Sequence, residues 1–263
     1  MSFKGCALSV RGASHEEAGE VCQDSARIHI SDELAILAVS DGHGSEKHFR
    51  SASGSEMATR IAIRSISDFC EKNGGLDSLF SIDPENVARR IAANIIYSWN
   101  NEIAAHFKFA PLTDQERKIS EKHGGLATEI MYGATLIAAA ISDKGCFGLQ
   151  IGDGSFVALK NEQTLSPVPV DSKLMGNLTT SLCDSDAIGS FRCFYSGEPF
   201  DAVMLSSDGL INSFRSEDDF MKFSRRVFSA VSEDASEGLP DHLKERSRCG
   251  SRDDISISAI VLV

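Results

Sequence analysis

The sequence has no apolar run long enough to span a membrane, and its opening residues, Met1-Ser-Phe-Lys-Gly-Cys-Ala-Leu-Ser-Val10, lack the apolar core of a secretion signal. A cytoplasmic chain without membrane contact is therefore expected. No Cys-x-x-Cys pair occurs: Cys6, Cys22, Cys70, Cys146, Cys183, Cys193 and Cys249 are scattered and odd in number. That excludes a zinc cage or a disulfide framework and leaves reduced thiols, most of them small core hydrophobes. Basic residues are few, 26 Lys and Arg against 38 Asp and Glu, for a net charge of -12. Nucleic acid, whose phosphates are bound by neutralising Lys and Arg, is excluded as a partner. Repeats, low-complexity tracts and linkers are also missing. Residues 1–263 are expected to form one monomeric domain.

What is present is the composition of a globular protein, 42% hydrophobic and 24% charged, with enough length for a large core. The most informative stretch is Leu34-Ala-Ile-Leu-Ala-Val-Ser-Asp-Gly-His-Gly44, an apolar run that breaks at Asp41-Gly42-His43-Gly44. Without polar alternation, such a run reads as a strand buried on both faces, with Asp41 at its end. The flanking glycines free the backbone to turn, and Gly42 lets its carbonyl approach a ligand. An Asp-Gly pair is as a rule only a turn. Here it recurs after apolar runs at Ile151-Gly-Asp153-Gly154 and Ser206-Ser-Asp208-Gly209, and Arg252-Asp253-Asp254 precedes the final run. Carboxylates gathered in this way repel one another unless cations lie between them.

In chain order, Cys6–Val10 and Ser25–Ile30 read as strands, with residues 12–19 as a loop and Asp24 as a further candidate acid before the second strand. Apolar residues at helical spacing predict helices over residues 53–72 and from Asp83-Pro84 to about Phe107, an aspartate cap followed by proline at the first helical position. Trp99 belongs to the apolar stripe and is assigned to the core. Residues 111–129 are polar and read as a long loop. Strands are expected over 133–141, 145–151 and 156–159, with Asp153-Gly154 as a hairpin turn. Residues 164–198 lose all periodicity and are the candidate flap or substrate-contacting insertion. A strand at 201–205, a helix from Phe220 to Val231, a short helix near 241–247 and a strand from Ile255 complete the chain. Runs of strands and of helices in this order favour an α+β layered domain over a doubly wound parallel sheet.

Aspartates offer hard oxygen atoms, which suit Mg²⁺ or Mn²⁺ better than zinc. Several of them together point to a two-metal centre that activates water against a phosphoryl group. His43, beside anionic ligands expected to raise its pKa, is the candidate general acid for the leaving alkoxide. The plain alternative is a histidine that only packs at a turn.

Taken together, Asp41-Gly-His-Gly44, Gly133-Ala-Thr135, Ile151-Gly-Asp-Gly154, Ser206-Ser-Asp-Gly209 and Ser251-Arg-Asp-Asp254 resemble, in order and spacing, the motifs of the metal-dependent protein phosphatase 2C family. Ser14-His15 and Cys22-Gln-Asp24 resemble those of a compact bacterial branch. The resemblance implies a four-layer α/β/β/α sandwich with two central antiparallel sheets. It implies that Asp41 bridges two Mn²⁺ or Mg²⁺ ions, that Gly42 contributes its carbonyl, and that Asp208 and Asp253 complete one shell, with Asp24 nearby. Asp153, with Asp208, matches a third, weaker metal site, and His43 matches the general acid. The implied substrates are phosphoserine and phosphothreonine in proteins. Two departures stand out. Gln23-Asp24 replaces a frequent Glu-Asp, and Gly19 stands where members often place a phosphate-holding arginine, a role for which Arg11 and His15 are the candidate substitutes. The alternatives are a phosphoprotein-binding pseudophosphatase and a hydrolase of small phosphate esters or nucleotides. Cys22, beside the site, is read as a structural thiol.

Overall fold

The computed structural model of the protein describes residues 2–76, 83–169, 171 and 179–263. Its strands are β1 (Phe3–Val10), β2 (Ser25–Ile30), β3 (Ala35–Ser40), β4 (Leu136–Ser142), β5 (Gly145–Ile151), β6 (Ser155–Lys160), β7 (Gln163–Leu165), β8 (Arg192–Ser196), β9 (Ala202–Ser206) and β10 (Ile255–Leu262). The principal helices are α2 (Ser51–Asn73), α3 (Pro84–Phe109), α8 (Glu217–Ser232) and α9 (Leu239–Cys249). Shorter ones are α1 (Ala13–Ala18), α4 (Asp114–Lys122), α5 (Thr128–Met131), α6 (Ala187–Ser190) and α7 (Asp208–Ile211).

The strands form two five-stranded antiparallel sheets, ordered β1-β10-β9-β6-β7 and β2-β3-β4-β5-β8. β3 and β4 are buried at every position, as their unbroken apolar runs require. Side chains of a strand alternate between faces, and the alternation assigns each residue to a layer. Ala35, Leu37 and Val39 of β3 meet Val203, Leu205 and Ile260 of the other sheet, forming the middle of the molecule. Ile36 and Ala38 face the other way, into a cluster with Ile61 and Ile66 of α2 and Ile91, Ile95 and Trp99 of α3. Met204 and Ile257 turn outward onto Phe220, Val227 and Val231 of α8 and Leu243 of α9. Three apolar interfaces thus separate four layers, giving the expected α/β/β/α sandwich. Each large side chain buried in them contributes about 1.5–3 kcal/mol. Trp99 is a core residue, its Nε1 donating to the Gly54 carbonyl at 3.0 Å.

The two long helices begin and end where the sequence indicates. Asp83 caps α3 by accepting from Asn86 N at 3.1 Å, and α2 stops at Gly74, whose φ of 81° is left-handed. Three expectations are corrected. Residues 12–19 are not a loop: Ala13–Ala18 form α1, too short to show periodicity, closed by Gly19 at φ 70°. Residues 111–129 hold α4 and α5. α4 carries a single apolar residue, Ile119, so no apolar stripe betrays it; it is held by a capping box between Thr113 and Glu116. Asp153-Gly154 is not a hairpin turn, because β5 and β6 lie in different sheets and the pair carries the chain from one to the other. The segment 164–198 is also more structured than expected at its ends, supplying β7, α6 and β8. Its residues 170 and 172–178 lie outside the described residues.

Candidate active site

The register of the two sheets brings the predicted acids to one end of the sandwich. Ser25 of β2 pairs with Ser40 of β3, so Asp24, which precedes one strand, and Asp41, which follows the other, leave the first sheet side by side. In the second sheet Ser206 of β9 lies between Ser155 of β6 and Ile257 of β10. Asp153 and Asp253 precede those strands, and Asp208 follows β9 as the first residue of α7. Asp41, Asp153, Asp208 and Asp253 line one open cleft of about 760 Å³, together with His43, Lys47 and His48.

Asp41 is fixed through its backbone. Its N–H donates to Thr135 Oγ1 at 3.1 Å, and its carbonyl accepts from Thr135 N at 2.8 Å. Gly42 bridges to Ala134, and a Cβ at Gly42 would stand 2.5 Å from the Gln23 carbonyl oxygen, so only glycine allows the two acid-bearing segments to touch. Asp208 accepts from Asn212 Nδ2 at 3.0 Å, and Asp253 accepts from Asp254 N at 2.8 Å.

Burial first, and then the neighbouring carboxylates, push the acids upward. Asp41 lies well above the usual carboxylate range because it is buried and faces Asp24 and Asp208. Asp24 is raised by burial and by Asp254, Asp253 and Asp208 against a hydrogen bond from Ser207. Asp208 is raised by burial and by Asp153 and Asp253, and its carboxyl interacts directly with that of Asp41. Asp253 is raised by burial and by Asp254 and Asp153. Beside this cluster, two of the buried oxygens that lack a hydrogen-bond partner among the described residues are Asp24 Oδ2 and Gln23 Oε1. Among the described residues no three His, Cys, Asp or Glu side chains close into a ready-made metal cage, so the carboxylates ring the cleft without enclosing a point.

His43 departs from expectation. Its imidazole is held down to about 4, by burial first and then by His48 and Lys47, and is not raised by the acids. Its Nε2 is 2.7 Å from Ser181 Oγ, and its ring centroid is 4.8 Å from that of His48. Gly133 makes this possible: a Cβ there would stand 2.5 Å from His48 Nδ1 and 2.9 Å from His43 Cδ2. The candidate substitutes for the phosphate-holding arginine do not line the cleft. Arg11 donates to the Glu20 carbonyl at 3.2 Å, and His15 Nδ1 lies 3.0 Å from Asp254 Oδ1. Gly19, at the arginine's expected place, is the left-handed stop of α1. The Cys22 thiol is raised by burial and by Asp254 and Asp24, which keeps it protonated and inert.

Further residues take part whose roles the sequence does not assign. Asp254, 2% exposed, accepts from Gly12 N and Gln23 N, each at 2.6 Å, and ties the segment carrying Asp24 to the start of β10. Ser181, Cys183 and Asp184 form a cleft wall from the segment that lacks periodicity. Lys47 and His48 follow the Asp-Gly-His-Gly stretch closely enough that their nearness was readable, but their direction was not.

The protein phosphatase 2C family model matches residues 11–245. Among solved structures, the catalytic domain of the serine threonine protein phosphatase PstP in complex with two manganese ions superposes with a TM-score of 0.58 at 17% identity, covering 100% of this chain and 99% of that one. A bacterial serine phosphatase gives 0.61 at 15% identity, covering 99% and 98%. RsbX in complex with magnesium gives 0.52 at 14% identity, covering 100% and 96%. No curated protein sequence matches.

Proposed function

Because the chain belongs to the protein phosphatase 2C family, a family of phosphoric monoester hydrolases, we propose that it is a metal-dependent serine/threonine protein phosphatase acting on phosphoserine and phosphothreonine. One observation carries the reading. Register and topology gather Asp24, Asp41, Asp153, Asp208 and Asp253 at one end of both sheets, with the carboxyl groups of Asp24, Asp41, Asp208 and Asp253 raised by burial and by neighbouring acids and Asp24 Oδ2 left without a partner among the described residues. An all-oxygen donor set of this charge fits Mn²⁺ or Mg²⁺.

Asp41 would bridge two ions, with the Gly42 carbonyl, Asp24, Asp208 and Asp253 as the other ligands. Asp153 and Asp208 would hold a third. Gln23 Oε1, buried and unpartnered, offers a neutral oxygen where many members place a glutamate. When bound, such ions supply an activated water and neutralise phosphoryl charge. The protein's own part is to orient. Ser181 holds His43 Nε2 toward the cleft, and Thr135 holds Asp41 from behind. His43, kept neutral by burial, becomes a proton donor only when an anionic phosphate ester supplies the opposite charge that favours the imidazolium.

The test is phosphate release from a phosphothreonine peptide with Mn²⁺, Mg²⁺ or chelator, comparing wild type with Asp208→Asn. Metal-dependent turnover lost in the variant supports the reading. Gln23 and Gly19 favour the second reading, a phosphoprotein-binding pseudophosphatase. Absence of turnover in folded, Mn²⁺-saturated wild type selects it.

A further inference from the structure

Resting on the phosphatase reading, we propose that Lys47 anchors the substrate phosphate in this protein, in the role that an arginine at position 19 would otherwise fill. Hydrolysis requires a phosphate ester to enter a cleft lined by carboxylates, and a cation supplied by the chain at the rim would add to the charge that bound ions bring. The described arginines near the site are committed elsewhere. Arg50 grips Glu116 at 2.8 Å and 3.0 Å. Arg192 donates to the carbonyls of Gly152 and Pro169, and Arg252 pairs with Glu17 at 2.6 Å. Arg11 and His15 are held by Glu20 and Asp254.

Lys47 differs in both respects. It lines the cleft beside His43, and among the described residues it makes no ion pair or hydrogen bond. Its backbone is nevertheless placed firmly. It is the middle residue of the 3₁₀ turn Glu46–His48, whose flanks are both pinned. Glu46 takes Lys122 Nζ at 2.6 Å and His123 Nε2 at 3.4 Å, while His48 Nδ1 bonds the Ile130 carbonyl. The acid of the neighbouring wall, Asp184, is engaged by Ser181 N at 2.8 Å. The positive charge of Lys47 already reaches into the cleft, where it helps to hold down the His43 and His48 imidazoles. An ammonium group on a flexible stem is a point-charge binder of phosphate, less geometrically demanding than an arginine fork.

The experiment compares wild type, Lys47→Ala, Lys47→Arg and Arg11→Ala, all Mn²⁺-loaded, on a phosphothreonine peptide, and measures inorganic phosphate binding by calorimetry. Lys47→Ala is expected to raise KM about tenfold with kcat little changed. Lys47→Arg should retain most of the wild-type KM, and Arg11→Ala all of it. Phosphate affinity should fall with KM in Lys47→Ala, and because Lys47 is exposed the melting temperature should not move. The calorimetry separates the two claims. If wild type turns nothing over yet binds phosphate through Lys47, the phosphatase reading fails and the anchor stands. Phosphate binding that is unchanged in Lys47→Ala, or undetectable in wild type, or a KM that responds to Arg11 instead, overturns the anchor.

Discussion

His43 and Ser181 are joined by a 2.7 Å hydrogen bond between Nε2 and Oγ, across 138 residues of sequence. Ser181 also bonds the Ala134 carbonyl at 3.1 Å, so the imidazole is tied through one hydroxyl to the backbone that leads into β4. A neutral hydrogen bond of this kind contributes about 1 kcal/mol. Ser181→Ala should therefore lower kcat about fivefold, with KM unchanged and the pH profile displaced, while Ser181→Thr keeps the hydroxyl and most of the rate. Equal pH profiles and kcat in Ser181→Ala and wild type would reduce Ser181 to a packing contact.

Asp254 stabilises the site without lining it. Its two backbone donors and His15 leave it no free oxygen, and it is 2% exposed. Asp254→Ala removes a charged acceptor from both N–H groups, a loss of roughly 1.5–3 kcal/mol per charge-assisted bond. Thermal denaturation should show a drop of several degrees. Mn²⁺ affinity should fall as well, since Gln23-Asp24 loses its anchor. A fall in affinity at unchanged melting temperature would instead make Asp254 a ligand.

How much of this was legible in the sequence follows from which forces are local. β3, β4, α2 and α3 announce themselves because burial writes an apolar pattern into adjacent residues. α4 does not, because it is stabilised by its capping box and carries only one apolar residue, Ile119. The strand-end position of Asp41 and Asp208 was readable, but the crossover at Asp153 was not, since consecutive antiparallel strands usually pair and these pass between sheets. His43 shows the limit most clearly. Its chain neighbours include an acid, which predicts a raised pKa; in space its burial and the neighbouring His48 and Lys47 lower it.

Arg50 and Glu116 give the acid stability a defined limb. The guanidinium, joined to Glu116 by two hydrogen bonds, holds that carboxyl down to about 2 from an ordinary 4.5. A carboxyl depressed in the folded state contributes stability that is present above its unfolded value and is lost as pH falls through the folded one. Wild type should thus lose this contribution between about pH 4.5 and pH 2. Glu116→Gln should be less stable than wild type at pH 7, with the gap closing toward pH 2 when urea midpoints are compared. A gap that is constant with pH would mean that the pair contributes through packing alone.

The carboxylate cluster has the opposite sign. Asp41, Asp24 and Asp208 are raised in the folded state by burial and by one another, so they favour folding only while protonated and oppose it as pH rises past the ordinary carboxylate range. Asp208→Asn removes one charge yet keeps an acceptor for the Asp41 carboxyl. In chelator at pH 7 the variant should therefore melt above wild type, by about 2–4 °C for each kcal/mol of repulsion relieved. Mn²⁺ should reverse the order, because a cation that binds only the folded state adds about 2.7 kcal/mol at a hundredfold excess over its Kd. Wild type should gain most of that and the variant little. A melting temperature in wild type that ignores Mn²⁺, alongside no gain for Asp208→Asn in chelator, would show that the aspartates neither repel nor bind as argued, and the two-metal reading would fall with them.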